Sequence, residues 1–360
     1  MQAPPDTASA TASKITEEAI RIIATAPEHG PLRPLEYAKA LALEPRAAAL
    51  ARVLMDEKIV EAARRYQRAD KRAITAQRWF VWIGKTAAYT GFLAAVLGGG
   101  LLYIASDASE PSLFAVGALQ FGFLVVSLTG SLALYAVKPF RAWRKERGQA
   151  EAERLNIFTI IMSDTSAAGE SEAPLLPLKL ECFRRHLLDD QLAYFKWRGP
   201  QHRRVARRWF RLRVLALILI GAACLPLLAR LEAFSWLPDW LRTVIAWLPL
   251  KGGDVQQKYA LLGLLGGALQ GLLAALAVIS LADRNADKFE AMLERLEGYS
   301  QEKLSGARLA ATKGDGIAVG EFARQVVSDL AAEATEWVTL QAALSEMTLK
   351  LIAHQHKIPG

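Results

Sequence analysis

Four apolar runs limit what this chain can become. Thr86–Ala105, Ser112–Val137 and Tyr259–Ala282 contain no charged residue, and each meets the roughly 20 residues that a helix needs to cross a bilayer. Gln120 is the one strongly polar side chain in the second run, and Gln270 holds the same place in Tyr259–Ala282. The remaining run, Val214–Ala229, is shorter and contains Pro226. Arg213 and Arg230 bound it, and their stems can lengthen it by reaching for the interface. The expectation is an all-α integral membrane protein with four transmembrane helices and long cytoplasmic helices.

The chain is 52% hydrophobic yet carries 44 Lys+Arg against 36 Asp+Glu, so apolar and charged residues must be segregated along it. That excludes a disordered chain and argues against a single soluble α/β enzyme. Two cysteines exclude a disulfide framework. Met1–Ser13 is polar with no apolar core, so no signal peptide is expected.

Orientation follows from the basic flanks. Arg64, Arg65, Arg68, Lys71, Arg72 and Arg78 precede the first run; Lys138, Arg141, Arg144, Lys145 and Arg147 follow the second. The densest cluster, from Lys196 to Arg213, precedes the short run. The turn Ser106–Pro111 has no Lys or Arg and carries Asp107 and Glu110. Both termini and the middle segment are therefore expected in the cytoplasm. Each basic cluster abuts a span, so topology and anionic lipid account for the charge, and no nucleic acid is expected as a partner.

The spans read as two tandem two-span modules. Arg78-Trp79-Phe80 opens the first run, and Arg208-Trp209-Phe210 precedes the third. Gly117-Ala118-Leu119-Gln120 and Gly267-Ala268-Leu269-Gln270 lie in the second and fourth. The same order of basic flank, span, turn, span and charged helix accompanies both. The expected divisions are a tail and small helical segment over 1–62, a first module over 63–175 and a second over 176–360. Trp236, Trp240 and Trp247 in the last connection fit either a short interfacial helix or an aromatic belt.

Small residues recur every fourth position in two runs: Gly91, Ala95 and Gly99 in the first, and Gly263, Gly267, Gly271 and Ala275 in the fourth. Such stripes let helix backbones approach closely, within one protomer or between protomers of a homo-oligomer. Gln120 and Gln270 each need a polar partner or water at membrane depth, through interhelical bonding or in a pore.

The rest reads as helix. The helix of the second span is expected to continue through Arg141–Met162, and Leu176–Arg213 to run into the third span. Residues 283–304 and 321–353 are expected to form a hairpin around a glycine-rich loop, Ser305–Gly320. The N-terminal segment Ser13–Ala62 divides into about three short helices at Pro31, Pro34 and Pro45. No catalytic constellation is present: His354 and His356 lack a third metal ligand, and no Ser or Cys has the setting of an activated nucleophile. No cofactor is expected.

The second half resembles the SLATT family, two-span membrane effectors of bacterial nucleotide-signalling and anti-phage systems. Asp190-Gln191 and Tyr194, the basic approach Arg203–Arg213, the helix 283–304 and Glu333-x-x-x-Trp337 carry the resemblance. Ala63-Arg64-Arg65-Tyr66, Arg72, Arg78-Trp79 and Ala150-Glu151-Ala152-Glu153-Arg154 repeat the plan in the first half. The resemblance implies an oligomeric inner-membrane protein that forms pores or disrupts the membrane when an upstream sensor or nucleotide-synthase partner fires. The usual unit has two spans rather than four, and no nucleotide-sensing domain is recognisable here.

Overall fold

The computed structural model describes residues 7–24, 33–104, 110–163, 175–230 and 253–355. Every regular element among the described residues is helical. In chain order these are α1 (Thr7–Ala24), α2 (Pro34–Leu41), α3 (Ala48–Leu54), α4 (Glu57–Ile104), α5 (Glu110–Val137), α6 (Pro139–Ser163) and α7 (Leu175–Phe183). There follow α8 (Asp190–Arg230), α9 (Gly253–Ser280), α10 (Ala282–Gly298), α11 (Leu304–Thr312) and α12 (Gly316–Gln355). A π turn, Arg184–Asp189, joins α7 to α8, and a second, Tyr299–Lys303, joins α10 to α11.

Local chemistry sets the boundaries. Pro34 starts α2, where its fixed φ suits the first helical position and its missing N–H costs nothing. The Asp56 carboxylate accepts from the Lys58 N–H at 2.8 Å and caps the start of α4. α4 then runs 48 residues without a break.

Two expectations are corrected. The second span does not continue into Arg141–Met162: Lys138 takes a left-handed φ of 48°, and Pro139 begins a separate helix. Pro139 disfavours helical geometry at the residue before it, so the chain breaks there. Ser305–Gly320 is not a loop either. Leu304–Thr312 is helical, and the turn reduces to Lys313, Gly314 and Asp315. Gly314 sits at φ 74°, the Asp315 N–H bonds to Ala310 O, and the Gly314 N–H bonds to Ala311 O. That is a Schellman closure. The Asp315 side chain then caps α12 through the Ala318 N–H at 3.0 Å. A helical glycine costs about 1 kcal/mol, and burial of Leu304, Ala307, Ala311 and Val319 outweighs it at Gly306 and Gly320.

Packing divides the chain into two units. The core unit is Met1–Ala76, Arg141–Gly199 and Lys288–Gly360; the bundle unit is Gln77–Phe140 and Pro200–Asp287. Each of the two sequence modules contributes to both units.

In the core unit, α7 is the central element: all nine of its residues are buried. α1, α3, α11 and α12 pack on it. Phe183 meets Phe158 edge-on at 6.0 Å and Phe322 at 6.3 Å. α11 and α12 form a hairpin with α10, held where the Tyr299 hydroxyl donates to Asp329 (2.9 Å) and the Lys303 ammonium to Gln325 (3.2 Å).

In the bundle unit, three helical stretches are long and apolar enough to cross a membrane, within Glu57–Leu101, Glu110–Val137 and Lys258–Thr312. The short run Val214–Ala229 continues α8, and its side chains from Cys224 lie outside the described residues, as do Ser106–Ser109 and the tryptophans at 236, 240 and 247. α5 buries none of its residues; Phe114, Phe121, Leu128 and Leu132 are all more than half exposed. Such a surface belongs in hydrocarbon, since soluble proteins rarely expose apolar patches beyond a few hundred Å².

Candidate functional site: glycine seams and a charged cluster

The bundle is built on glycine seams. On the α4–α5 seam, a side chain placed at Gly91 would meet Ser127 Oγ at 2.9 Å, and one at Gly98 would meet Gln120 Nε2 at 2.4 Å. At Gly130 it would meet Ala87 Cβ at 3.0 Å. Seven residues down α4 correspond to seven residues up α5, so the pair is antiparallel in a heptad register. The Ser127 hydroxyl donates across it to Ala87 O at 2.9 Å. In lipid such a bond is available because no water competes for the carbonyl.

A second seam joins α4 to α9. Gly99 faces Leu264 and Leu261, and Gly84 faces Ile279. Fifteen residues along one helix match fifteen along the other in the opposite direction, so this pair is antiparallel too. The third seam joins α8 to α9: Gly263 faces Ala223 at 3.0 Å, and Gly266 faces Ile220, with Ala216 O at 3.1 Å. α4 therefore lies between α5 and α9, and α9 between α4 and α8.

The predicted small-residue stripes separate on these seams. Gly91, Gly99 and Gly263 make the close contacts. Gly267 and Gly271 do not: nothing lies within 4 Å of a side chain built at either. The glycine that α9 needs for α8 is Gly266, one position away. Gly84, Gly98 and Gly130 were also missed. A four-residue repeat marks one face of a helix, while α4 and α9 each pack on two neighbours. The run Gly98-Gly99-Gly100 held the signal, since adjacent glycines serve different faces.

The glutamines separate as well. Gln120 lies over Gly98 inside the α4–α5 seam. Gln270 Oε1 is shielded from solvent and has no hydrogen-bond partner.

The family-motif residues of the core unit gather into one charged cluster. α4 and α6 face each other through Arg65 Nε to Glu153 (2.9 Å), Arg147 Nη1 to Asp70 (3.2 Å) and Arg72 to Glu146 (3.6 Å). Glu151 takes Arg154 at 2.7 Å and also Arg147. Asp190 joins from α8: burial pushes its carboxyl up, while Arg154 and a hydrogen bond from Gln191 pull it down. Glu333 joins from α12, its carboxyl raised by burial and by Glu151 against Lys288, Arg147 and Arg154. Gln191 is buried, and Tyr194 packs its ring on Phe195 and Phe289 at 5.4 and 5.8 Å. The Trp337 side chain lies outside the described residues.

A second polar node went unread in the sequence. Glu181, 1% exposed in the middle of α7, accepts from Arg308 Nε at 2.7 Å and Nη2 at 3.2 Å, and from Arg184 Nε at 2.5 Å. Arg185 donates to Ile23 O. Among the described residues no group of three His, Cys, Asp or Glu side chains is placed to hold a metal ion. Burial pushes the Cys182 thiol up to about 12, which keeps it protonated and a poor nucleophile. A cavity of about 230 Å³ beside Phe158, Met162, Ile317, Arg324 and Val327 falls short of the roughly 300–1,000 Å³ of ligand pockets.

These features define an all-helical protein with a glycine-sealed bundle of membrane-crossing character and a separate helical core unit. No protein-family model, curated protein or solved structure matches the chain.

Proposed function

We propose that this chain is a four-span bacterial inner-membrane effector, with both termini cytoplasmic, that oligomerises and opens a pore or disrupts the membrane. In this reading it is a duplicated relative of SLATT effectors, and Val214–Ala229 is the fourth span. One observation carries it: Gln270 Oε1 is buried and unpaired on α9, next to the uncovered Gly267 and Gly271. An unsatisfied polar atom at membrane depth costs several kcal/mol. Water in a pore or a second protomer across the glycine face supplies what the single chain lacks. The charged cluster ties stems from α4, α6, α8 and α12 and serves as the latch that holds the resting state.

A constitutive scaffold or sensor is the second reading. It is favoured by Gln120, whose amide is used within the protomer against Gly98 and so is not free to line a pore.

Dye entry and membrane potential after induced expression separate the two. A pore-former depolarises cells or admits dye once triggered, and Gln270→Leu reduces flux in liposomes while leaving insertion intact. Flux that is absent under every trigger, from assembled protein, removes the pore reading.

A further inference from the structure

We propose that Trp209 and Arg213 form a binding site for the phosphate of an anionic phospholipid. The proposal rests on reading α8 as entering a membrane at Val214. Ala206, Trp209, Arg213, Ala216 and Ile220 share one face of α8 by heptad spacing, and the last two lie against Gly266 of α9. Arg207, Arg208 and Arg211 are exposed on the other faces. Trp209 and Arg213, four residues apart, are therefore neighbours turned toward the bundle rather than toward solvent.

Trp209 Nε1 and Arg213 Nε are both shielded from solvent, and neither has a hydrogen-bond partner among the described residues. Buried donors are nearly always paired, and a guanidinium removed from water calls for an anion. The chain offers none locally: no Asp or Glu occurs between Asp190 and Glu232. An indole N–H and a guanidinium are both donors only, so their shared ligand must be an acceptor, and phosphate is the acceptor an arginine fork fits best. The site lies where the basic stretch gives way to apolar sequence, the depth at which lipid phosphates lie and tryptophan is enriched. A headgroup there is already concentrated by the surrounding arginines. The other copy of the motif differs: Trp79 is 55% exposed and stacks edge-on against Trp82, so the site belongs to the second module alone.

The test is native mass spectrometry of the full chain released from nanodiscs of zwitterionic lipid with and without phosphatidylglycerol. The wild type is expected to retain phosphatidylglycerol. Trp209→Phe and Arg213→Gln should each lower retention about tenfold, as expected for loss of a hydrogen bond to a charged group. Arg207→Gln, which removes the same charge from an exposed position, should change it little. Equal losses for Arg207→Gln and Arg213→Gln would reduce the site to a diffuse basic surface and overturn the proposal. So would unchanged retention in Trp209→Phe and Arg213→Gln, or equal thermal protection by inorganic phosphate in purely zwitterionic discs. Maleimide labelling of Ile218→Cys in a background lacking Cys182 and Cys224 tests the underlying reading. A labelled Cys at 218 shows that α8 does not enter the membrane; protection with unchanged lipid retention rejects the site alone.

Discussion

Lys138 and Leu281 hold the same left-handed backbone, φ 48° in each, and each ends the second helix of an apolar pair. In both halves the first helix of the pair, α4 or α8, arrives unbroken from a charged stem, and the second leaves through a sharp break. The Leu281 N–H still bonds to Ala277 O while its carbonyl accepts from Asn285 N, so one residue serves both helices. This shared geometry supports a duplicated two-span plan.

A non-glycine residue in that conformation costs about 1 kcal/mol. Lys138 is exposed, so its side chain has little packing to lose. Lys138→Gly should stabilise the detergent-solubilised protein by about 1 kcal/mol, and Lys138→Val should destabilise it, read as opposite shifts in thermal midpoint.

Gly266 and Gly267 should behave oppositely despite being adjacent. A leucine at 266 would press on Ala216 O and the Ile220 backbone, which cannot move aside cheaply. Overpacking of this kind costs about 1–3 kcal/mol, so Gly266→Leu should lower the thermal midpoint of the monomer. Gly267→Leu meets open space and should leave that midpoint unchanged while shifting the oligomer distribution in cross-linking. Equal effects on the monomer would refute the seam assignment.

Breaking the Glu181 node should harm the core unit more than any change in the α4–α6 ladder. Arg308→Leu leaves a carboxylate in the core with Arg184 alone, and losing one partner of a buried pair costs about 3 kcal/mol or more. Arg72→Leu, whose partner is 3.6 Å away near the surface, should cost about 0.5 kcal/mol. Denaturant midpoints of the two variants measure the contrast.

Acid should weaken the core unit through His186. Burial first, then Arg185, pushes its imidazole down to about 4, while its ring stacks edge-on against Tyr37 at 4.5 Å. The unfolded chain takes up the proton near the ordinary value of 6.5 and the folded one does not. This contribution is therefore fully present above about pH 6.5 and is lost as pH falls toward 4. It amounts to about 2 kcal/mol after allowance for partial exposure. His186→Phe should flatten the stability profile between pH 6.5 and 4; an unchanged slope would assign the acid sensitivity elsewhere.

The sequence by itself determined the class. Uncharged runs such as Ser112–Val137 can be satisfied only as helices in lipid, because every backbone group must pair within its own segment. That logic is local, as are the prolines that start α2 and α6. Tertiary structure decided the faces. Nothing local distinguishes Gly266 from Gly267, or tells Gln120 from Gln270: the choice depends on which neighbour approaches from which side. Glu181 was silent for the same reason, since a lone acid in Leu-Lys-Leu-Glu reads as surface until Arg308, far along the chain, closes on it. Close packing and buried charge pairing are properties of two segments at once, and only the folded chain brings the segments together.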